Sequence, residues 1–242
     1  SAEAAHTTAV ASWLERIGMD LDALECGPSD PINDDATKSM YISGQAPTSL
    51  HNCCSGKHTG FLTLAKYLED DPAFAVPGYL DPAHGVQSRV RDAQALMTGV
   101  DLQDQVPVID GCGIPVYQFP LVSLAQAMAR LVTPEAVPAM FADAAARVTA
   151  ALPSRSFLVS GTGRTPYVLT EAATEPMILK GGAEGVMMGA LPERGIGFAL
   201  KCEDGNGRGV DEAVAAVLHQ LGVLPERVSM NTPLLNRAGT EV

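Results

Sequence analysis

The densest group of reactive side chains in the sequence is residues 51–58, which hold two cysteines, a lysine and two histidines. Apolar residues then recur at helical spacing, which predicts an amphipathic helix with Ser55 as its N-cap. Lys57 and His58 would lie in the first turn, where the helix dipole disfavours a positive charge. We therefore expect a depressed pKa for Lys57, which suits a lysine that acts as a base, a nucleophile or a metal ligand.

Cys54 precedes the same predicted helix N-terminus, and the positive end of the dipole should favour its thiolate form. Cys54 and Lys57 are three residues apart, so that their side chains can face the same way. The alternative interpretation is a small buried cysteine and a solvated lysine without a shared role.

A second candidate site is residues 110–115, Asp-Gly-Cys-Gly-Ile-Pro, which follow the apolar run of residues 106–109. Two glycines around a cysteine predict a loop at a strand end, where functional residues often lie. Asp110 could bind a substrate ammonium group, and Cys112 could share a metal ion with Cys54. A structural zinc site takes four ligands and the sequence has no Cys-x-x-Cys, so a tight turn with a buried cysteine stays the alternative.

The third candidate is Lys180, at the end of an apolar run and followed by small residues. The pattern is comparable to the Lys-Thr/Ser-Gly element of penicillin-recognising enzymes, in which the lysine shares a proton network with a nucleophilic serine. The chain has no Ser-x-x-Lys, only Cys54-x-x-Lys57. Taken alone, the run equally fits a hairpin with one surface lysine.

The composition limits the classes of protein to which the chain can belong. The 242 residues carry a net charge of −12 and are 46% hydrophobic, which favours a folded domain over a disordered chain and argues against a nucleic-acid partner. No apolar run approaches the ~18–20 residues of a membrane span. The five cysteines, two of them adjacent, are typical of a reducing compartment, so we expect a soluble cytoplasmic protein without a membrane partner.

The secondary structure that must position these residues is predicted to change along the chain, from helices to short strands. A helical region is predicted up to about residue 152, with helices over residues 1–18, 81–99, 120–132 and 133–152. Short apolar runs separated by Gly-rich turns then predict an antiparallel meander over residues 157–159, 167–169, 177–179, 185–191 and 196–202. A helix over 210–221 closes the sheet-plus-helix region of about residues 153–242. The fold class is therefore α+β, an antiparallel sheet with flanking helices.

The chain resembles the asparaginase II family, the thermolabile, rhizobial-type L-asparaginases, in three motifs that occur in the family's order and spacing. They are residues 52–58, Asn-Cys-Cys-Ser-Gly-Lys-His; residues 110–115; and residues 180–185, Lys-Gly-Gly-Ala-Glu-Gly. Residues 1–6, 160–165 and 200–206 also have counterparts in the family. The resemblance thus covers nearly the whole chain as one asparaginase II-like domain, residues 1–242.

The resemblance implies a fold similar to serine β-lactamases and glutaminases, and hydrolysis of L-asparagine to L-aspartate and ammonia. It implies that Cys54, Lys57 and Cys112 bind a zinc ion at the substrate end of the pocket, with Lys57 also part of the catalytic machinery. The family further suggests a homodimer.

The same resemblance assigns roles to three further residues. His58 and Asp110 are expected to bind polar groups of the substrate. Lys180 is expected to act as the base of a Ser–Lys pair whose serine is the nucleophile.

Two departures from the family pattern bear on activity. The family's Arg-Ser-Ala-x-Lys segment is missing, and of the Ala-Ser-His-Ser run that supplies the partner of Lys180 only the last serine is present, as Ser1. At the other end, residues 236–242 predict a turn followed by the first residues of a strand that does not continue, so we expect a fragment cut at both ends. Cys53 stands where the family has asparagine.

Three other functions remain open from the sequence. The first is a zinc-binding or structural fragment without turnover. The second is a cysteine hydrolase that uses Cys54 with His58, which requires a free thiolate and therefore no zinc on that thiol. The third is a peptide-modifying activity, since the implied fold also recognises acylated D-amino acids.

Overall fold

The computed structural model describes residues 1–230 and 233–241. They form two compact units, residues 1–119 and residues 120–242. No helix in this described part of the chain is long and apolar enough to cross a membrane. The predicted α+β class is confirmed, because helices are combined with two small antiparallel sheets.

The first unit is mainly helical. Its elements are α1 (Ala4–Arg16), α2 (Asp34–Ile42), α3 (Ser55–Tyr67), α4 (Gly85–Thr98), β1 (Val108–Ile109) and β2 (Pro115–Val116), with short 3₁₀ helices at Leu21–Ala23, Ser49–His51 and Pro72–Phe74. The apolar face predicted for the first helix is confirmed, since Val10 and Leu14 are buried. They pack with Phe61, Leu62 and Ala65 of α3 to form the core of this unit.

The helix predicted over residues 81–99 begins later than expected. Asp81 initiates a turn instead, in which its carboxylate accepts the Ala83 N–H at 2.8 Å and its carbonyl accepts the His84 N–H at 2.9 Å. His84 then caps α4 by accepting the Val86 N–H at 3.1 Å. The prediction was wrong because an aspartate before a proline is as good a turn initiator as a helix cap.

The second unit builds a three-stranded sheet between helices. Its elements are α5 (Leu121–Leu131), α6 (Ala139–Ala151), α7 (Ser156–Ser160), α8 (Thr165–Ala172), β3 (Ile178–Gly181), β4 (Val186–Leu191), β5 (Ile196–Lys201) and α9 (Gly207–Gln220), with 3₁₀ helices at Pro134–Ala136, Pro153–Arg155 and Pro192–Arg194. The strand order is β3-β4-β5, antiparallel throughout, and Lys180 pairs with Met188.

Alternation along the strands divides the apolar side chains between the two faces of this sheet. Leu179 and Met187 pack with α9 on one face. Ile178 and Ala190 pack with Met128 of α5 on the other. A helix on each face explains why β4, the central strand, is the most buried of the three.

Three predictions for the second unit were wrong in detail. The apolar runs 157–159 and 167–169 lie in α7 and α8, not in strands, because a run of three residues cannot distinguish a strand from a helix. The helix predicted over 133–152 is divided, since Val137 is extended before Pro138 and α6 starts only after that proline.

At the end of the chain the predicted turn is present, with the Gly239 N–H bonded to the Asn236 carbonyl at 2.9 Å. Val242 lies outside the described residues.

Candidate functional site

The N-terminus of α3 positions the first pair of reactive side chains. Cys54, not Ser55 as predicted, occupies the N-cap position. Asn52 determines this, because its side-chain oxygen accepts the Cys54 N–H at 2.9 Å while its amide donates to the Cys26 carbonyl, also at 2.9 Å. Lys57 then lies in the first turn, three residues after Cys54.

A hairpin between β1 and β2 positions the second pair, Asp110 and Cys112. The loop closes through the Gly113 N–H to the Asp110 carbonyl at 2.8 Å and the Asp110 N–H to the Ile114 carbonyl at 2.9 Å. Gly113 has a φ of +91°, and a Cβ there would lie 2.8 Å from Cδ1 of Leu80. The position therefore favours glycine for its left-handed conformation, and a larger residue would also require the Leu80 side chain to move.

These two elements bring four donor side chains together. The thiol sulfurs of Cys54 and Cys112 and a carboxylate oxygen of Asp110 all lie within 4.8 Å of one another. The Lys57 ammonium donates to Cys112 Sγ at 3.3 Å and lies 3.8 Å from Asp110 Oδ2. Cys112 Sγ donates to the same carboxylate oxygen at 3.4 Å. In the part of the chain that the structure describes, this is the one group of three or more such ligands that could hold a metal ion.

The charge state of this cluster differs from the sequence-based expectation. Burial favours the neutral amine of Lys57, but the sulfurs of Cys54 and Cys112 and the Asp110 carboxylate outweigh it and hold the pKa of Lys57 above its usual value. The expectation of a depressed pKa was wrong because it considered the helix dipole alone. Burial raises the pKa of Cys112 as well.

Cys53 changes the protonation of its neighbour. The two adjacent sulfurs are 3.8 Å apart. Their hydrogen bond lowers the pKa of Cys53 to about 6, and the same bond together with burial raises the pKa of Cys54. The expectation of a thiolate at Cys54 was therefore wrong for this arrangement, because it left out the second thiol.

The donor set fits a zinc ion. Zinc prefers thiolate and nitrogen ligands in a tetrahedron, and a Zn–S distance of about 2.3 Å places neighbouring ligand atoms roughly 3.8 Å apart. The three ligand atoms of Cys54, Asp110 and Cys112 are already within 4.8 Å of one another, and the Lys57 nitrogen touches the same cluster. Binding a cation there requires proton loss from the thiols and the amine, so affinity should fall at low pH.

His58 follows Lys57 and is fully buried. Its Nδ1 lies 2.8 Å from the hydroxyl of Tyr79, while its Nε2 has no hydrogen-bond partner among the described residues. Burial and then the positive charge of Lys57 lower the pKa of His58 to about 4, so the imidazole is neutral at pH 7. The structure thus places His58 beside the cluster, and its predicted contact with a substrate stays a prediction.

Lys180 belongs to the second unit, at the exposed end of β3. Its ammonium donates to the carbonyl of Gly181. The hairpin predicted to follow it is present, closed by a turn in which the Val186 N–H bonds to the Ala183 carbonyl at 3.3 Å.

Ser1 belongs to a polar network with Glu3 and His6. Its hydroxyl donates to a carboxylate oxygen of Glu3 at 2.6 Å and lies 3.3 Å from Nδ1 of His6. Ala2, between Ser1 and Glu3, has a φ of +59°, in the left-handed region that favours glycine.

Sequence reasoning missed the roles of three residues that shape the site. Those of Asn52 and Tyr79 gave no signal, because the contacts of Asn52 with Cys26 and of Tyr79 with His58 join segments far apart in the chain. Asp110 was assigned to the substrate alone, although an aspartate two residues before a cysteine in a tight loop is itself a signal for a shared ligand group.

Comparison with known proteins bears on the class of protein. The described residues combine helices with two small antiparallel sheets, and two cysteines, an aspartate and a lysine form a candidate metal centre. The family model for L-asparaginase II matches residues 1–242, the whole chain. The chain therefore belongs to the L-asparaginase II family. Membership in this family supports the conclusion that the protein is a hydrolase of the amidohydrolase kind, which acts on a small molecule. No curated protein sequence matches the chain.

Proposed function

We propose that the protein hydrolyses the side-chain amide of L-asparagine, giving L-aspartate and ammonia. Family membership over the whole chain supports the reaction class. The observation that carries the proposal is the convergence of Cys54, Lys57, Asp110 and Cys112, from two separate motifs of the family, on one cluster of ligand atoms.

Cys54, Lys57 and Cys112 would hold the zinc ion, with Asp110 in reach as a fourth donor or as a contact for the substrate ammonium. A bound zinc ion would supply a fixed positive charge for the polar end of an amino-acid substrate. The raised pKa of Lys57 means that its proton must leave when the amine becomes a ligand. His58, neutral and adjacent, would contact the substrate through its ring.

Lys180 would serve as the general base of a Ser–Lys pair. Its neutral amine takes the proton of a serine hydroxyl as the serine oxygen attacks the amide carbon. The C–N bond of the tetrahedral intermediate then breaks, and the amide nitrogen leaves as ammonia after it accepts that proton. Water hydrolyses the resulting ester to aspartate and regenerates the serine. By the resemblance, the serine that partners Lys180 belongs to the family's Ala-Ser-His-Ser run, of which the last serine is present as Ser1.

The finer structural predictions belong to the same proposal. Two helices enclosing an antiparallel sheet, with a lysine at the end of β3, support a fold similar to serine β-lactamases and glutaminases. We include in the proposal that both units form one family domain, that the protein is a homodimer, and that it acts in the cytoplasm.

Replacement of Lys180 by methionine tests the proposed role of this lysine as the general base. Removal of a general base typically costs about 10²–10⁴-fold in rate, so we expect a fall of that order in ammonia release from L-asparagine, with the circular dichroism spectrum unchanged. The matched control is Lys201→Met, because Lys201 also ends a strand and also donates to the carbonyl of the next residue. Retained turnover in Lys180→Met would remove this lysine from the mechanism.

A further inference from the structure

We propose that Tyr79 holds His58 in the tautomer that carries its proton on Nε2, so that His58 presents a hydrogen-bond donor to an acceptor oxygen of the substrate. The tautomer follows from contacts within the first unit. The role toward substrate rests on the proposed function.

The contacts form a directional chain of hydrogen bonds. The backbone N–H of Glu25, which is always a donor, donates to the Tyr79 hydroxyl oxygen at 2.8 Å. The same oxygen lies 2.8 Å from His58 Nδ1. Tyr79 is fully buried, and its backbone carbonyl accepts from the side-chain amide of Gln87 at 2.7 Å, which holds the backbone that carries the ring.

Counting unsatisfied groups selects one proton arrangement. If Tyr79 donates to Nδ1, its hydroxyl is satisfied on both sides and the Nε2–H of His58 is the one unpaired group. If Nδ1 instead donates to Tyr79, the tyrosine proton has no acceptor among the described residues and Nε2 stays unpaired as well. An imidazolium leaves the same two groups unpaired and adds a buried charge. Each buried unpaired group loses its hydrogen bonds to water without replacement, so the first arrangement, which has the fewest such groups, is favoured.

The remaining unpaired atom indicates a ligand. Buried polar atoms in folded proteins almost always have a partner, and those that lack one are often completed by water, an ion or a substrate. His58 Nε2 is such an atom, at the opposite end of the ring from Tyr79, one residue after Lys57 of the metal-ligand cluster. An Nε2–H can be completed only by an acceptor, and asparagine offers carboxylate and amide oxygens.

This tautomer also restricts the chemistry that His58 can perform. A base that activates Cys54, or a histidine ligand of a metal ion, needs a free ring lone pair. The one lone pair of this tautomer is on Nδ1 and accepts from Tyr79. Tyr79 is therefore a positioning residue that assigns His58 to substrate binding, and the Cys54/His58 hydrolase loses its base.

Nitrogen NMR of the purified wild-type chain tests the tautomer directly. In ¹⁵N-labelled protein at pH 7, two-bond correlations between ring protons and nitrogens distinguish the Nε2–H form from the Nδ1–H and doubly protonated forms. The His58 pattern is assigned by its loss in His58→Gln. We expect the Nε2–H pattern, and either of the other two patterns would overturn the proposal whether or not the protein hydrolyses asparagine.

Tyr79→Phe tests the positioning role. Without the hydroxyl, His58 should show averaged signals of both tautomers, and KM for L-asparagine should rise about tenfold or more with kcat nearly kept, because the lost contact binds substrate and transition state alike. Tyr67→Phe is the matched control, since Tyr67 is exposed on α3. A lower kcat at unchanged KM, or an unchanged His58 pattern, would show that Tyr79 only supports the fold. If the variant does not fold, the wild-type spectrum still decides the tautomer.

Discussion

Cys54 and Lys57 reach the candidate metal site from a helix N-terminus, whereas Asp110 and Cys112 reach it from a hairpin loop more than fifty residues later. The residue types and their local spacing were readable in the sequence. Their protonation was not, because the pKa of Lys57 depends on sulfurs and a carboxylate that only the fold brings close. Local reasoning from the helix dipole therefore gave the wrong direction for the pKa shift of this amine.

Replacement of Cys112 by serine tests the ligand assignment at the scale of one atom. A serine hydroxyl is a poor zinc ligand. Even changes to residues that only orient the ligands cost about 10–100-fold in metal affinity, so we expect a loss of at least that size. Zinc content after dialysis against a weak chelator is the measurement.

The matched control for this prediction is Cys202→Ser, because Cys202 lies in the second unit. Its zinc content should equal that of the wild type. Equal zinc in both variants would show that Cys112 is not a ligand.

The hairpin after Lys180 contains a turn that its sequence does not favour. Glu184 and Gly185 have φ values of +56° and +65°, the pattern of a type I′ turn, in which Asn-Gly is the preferred pair. Glu184→Asn should relieve the left-handed strain and stabilise the fold by roughly 0.5–1 kcal/mol, as measured by urea unfolding.

Glu193→Asn provides the matched control, since Glu193 lies in the next hairpin in a 3₁₀ helix. Its effect should stay within about 0.5 kcal/mol. A loss of stability in Glu184→Asn would mean that the glutamate side chain makes a contact worth more than the strain.

Close packing of α5 on β5 depends on a single glycine. A Cβ at Gly197 would lie 2.2 Å from the Ala125 carbonyl oxygen and 2.2 Å from the Ala129 nitrogen, both backbone atoms that cannot rotate away. Gly197→Ala should therefore lower the free energy of unfolding by about 3 kcal/mol or more.

Gly207→Ala, at the first residue of α9, is the control for this prediction. A Cβ there meets no atom closer than 3.9 Å, and alanine favours helix, so stability should be unchanged or slightly higher. Equal effects of the two substitutions would contradict the close approach of helix and strand.

Elements with a strong period were predictable, and short ones were not. The first helix, α5, the last two strands of the meander and α9 are present close to their predicted positions. The runs 157–159 and 167–169 were assigned to strands because three apolar residues carry no period. Tertiary packing decides whether such a segment forms a helix or a strand, and three apolar residues carry no information about that packing.

At the scale of the whole molecule, the net charge of −12 disfavours polyanionic partners and agrees with a small-molecule enzyme. The L-asparaginase II model matches both units, so the three motifs recognised in the sequence belong to one family pattern. The reaction class was therefore predictable from motifs. The contact between Tyr79 and His58 was not, because it joins residues 21 positions apart through side chains alone.

The most direct measurement of the central claim is ammonia release from L-asparagine by samples of known zinc content. The account predicts about one zinc per chain, loss of ammonia release when a chelator removes the metal, and recovery when zinc is returned. Zinc-containing protein that releases no ammonia from L-asparagine, or release that is unchanged after the metal is removed, would contradict it.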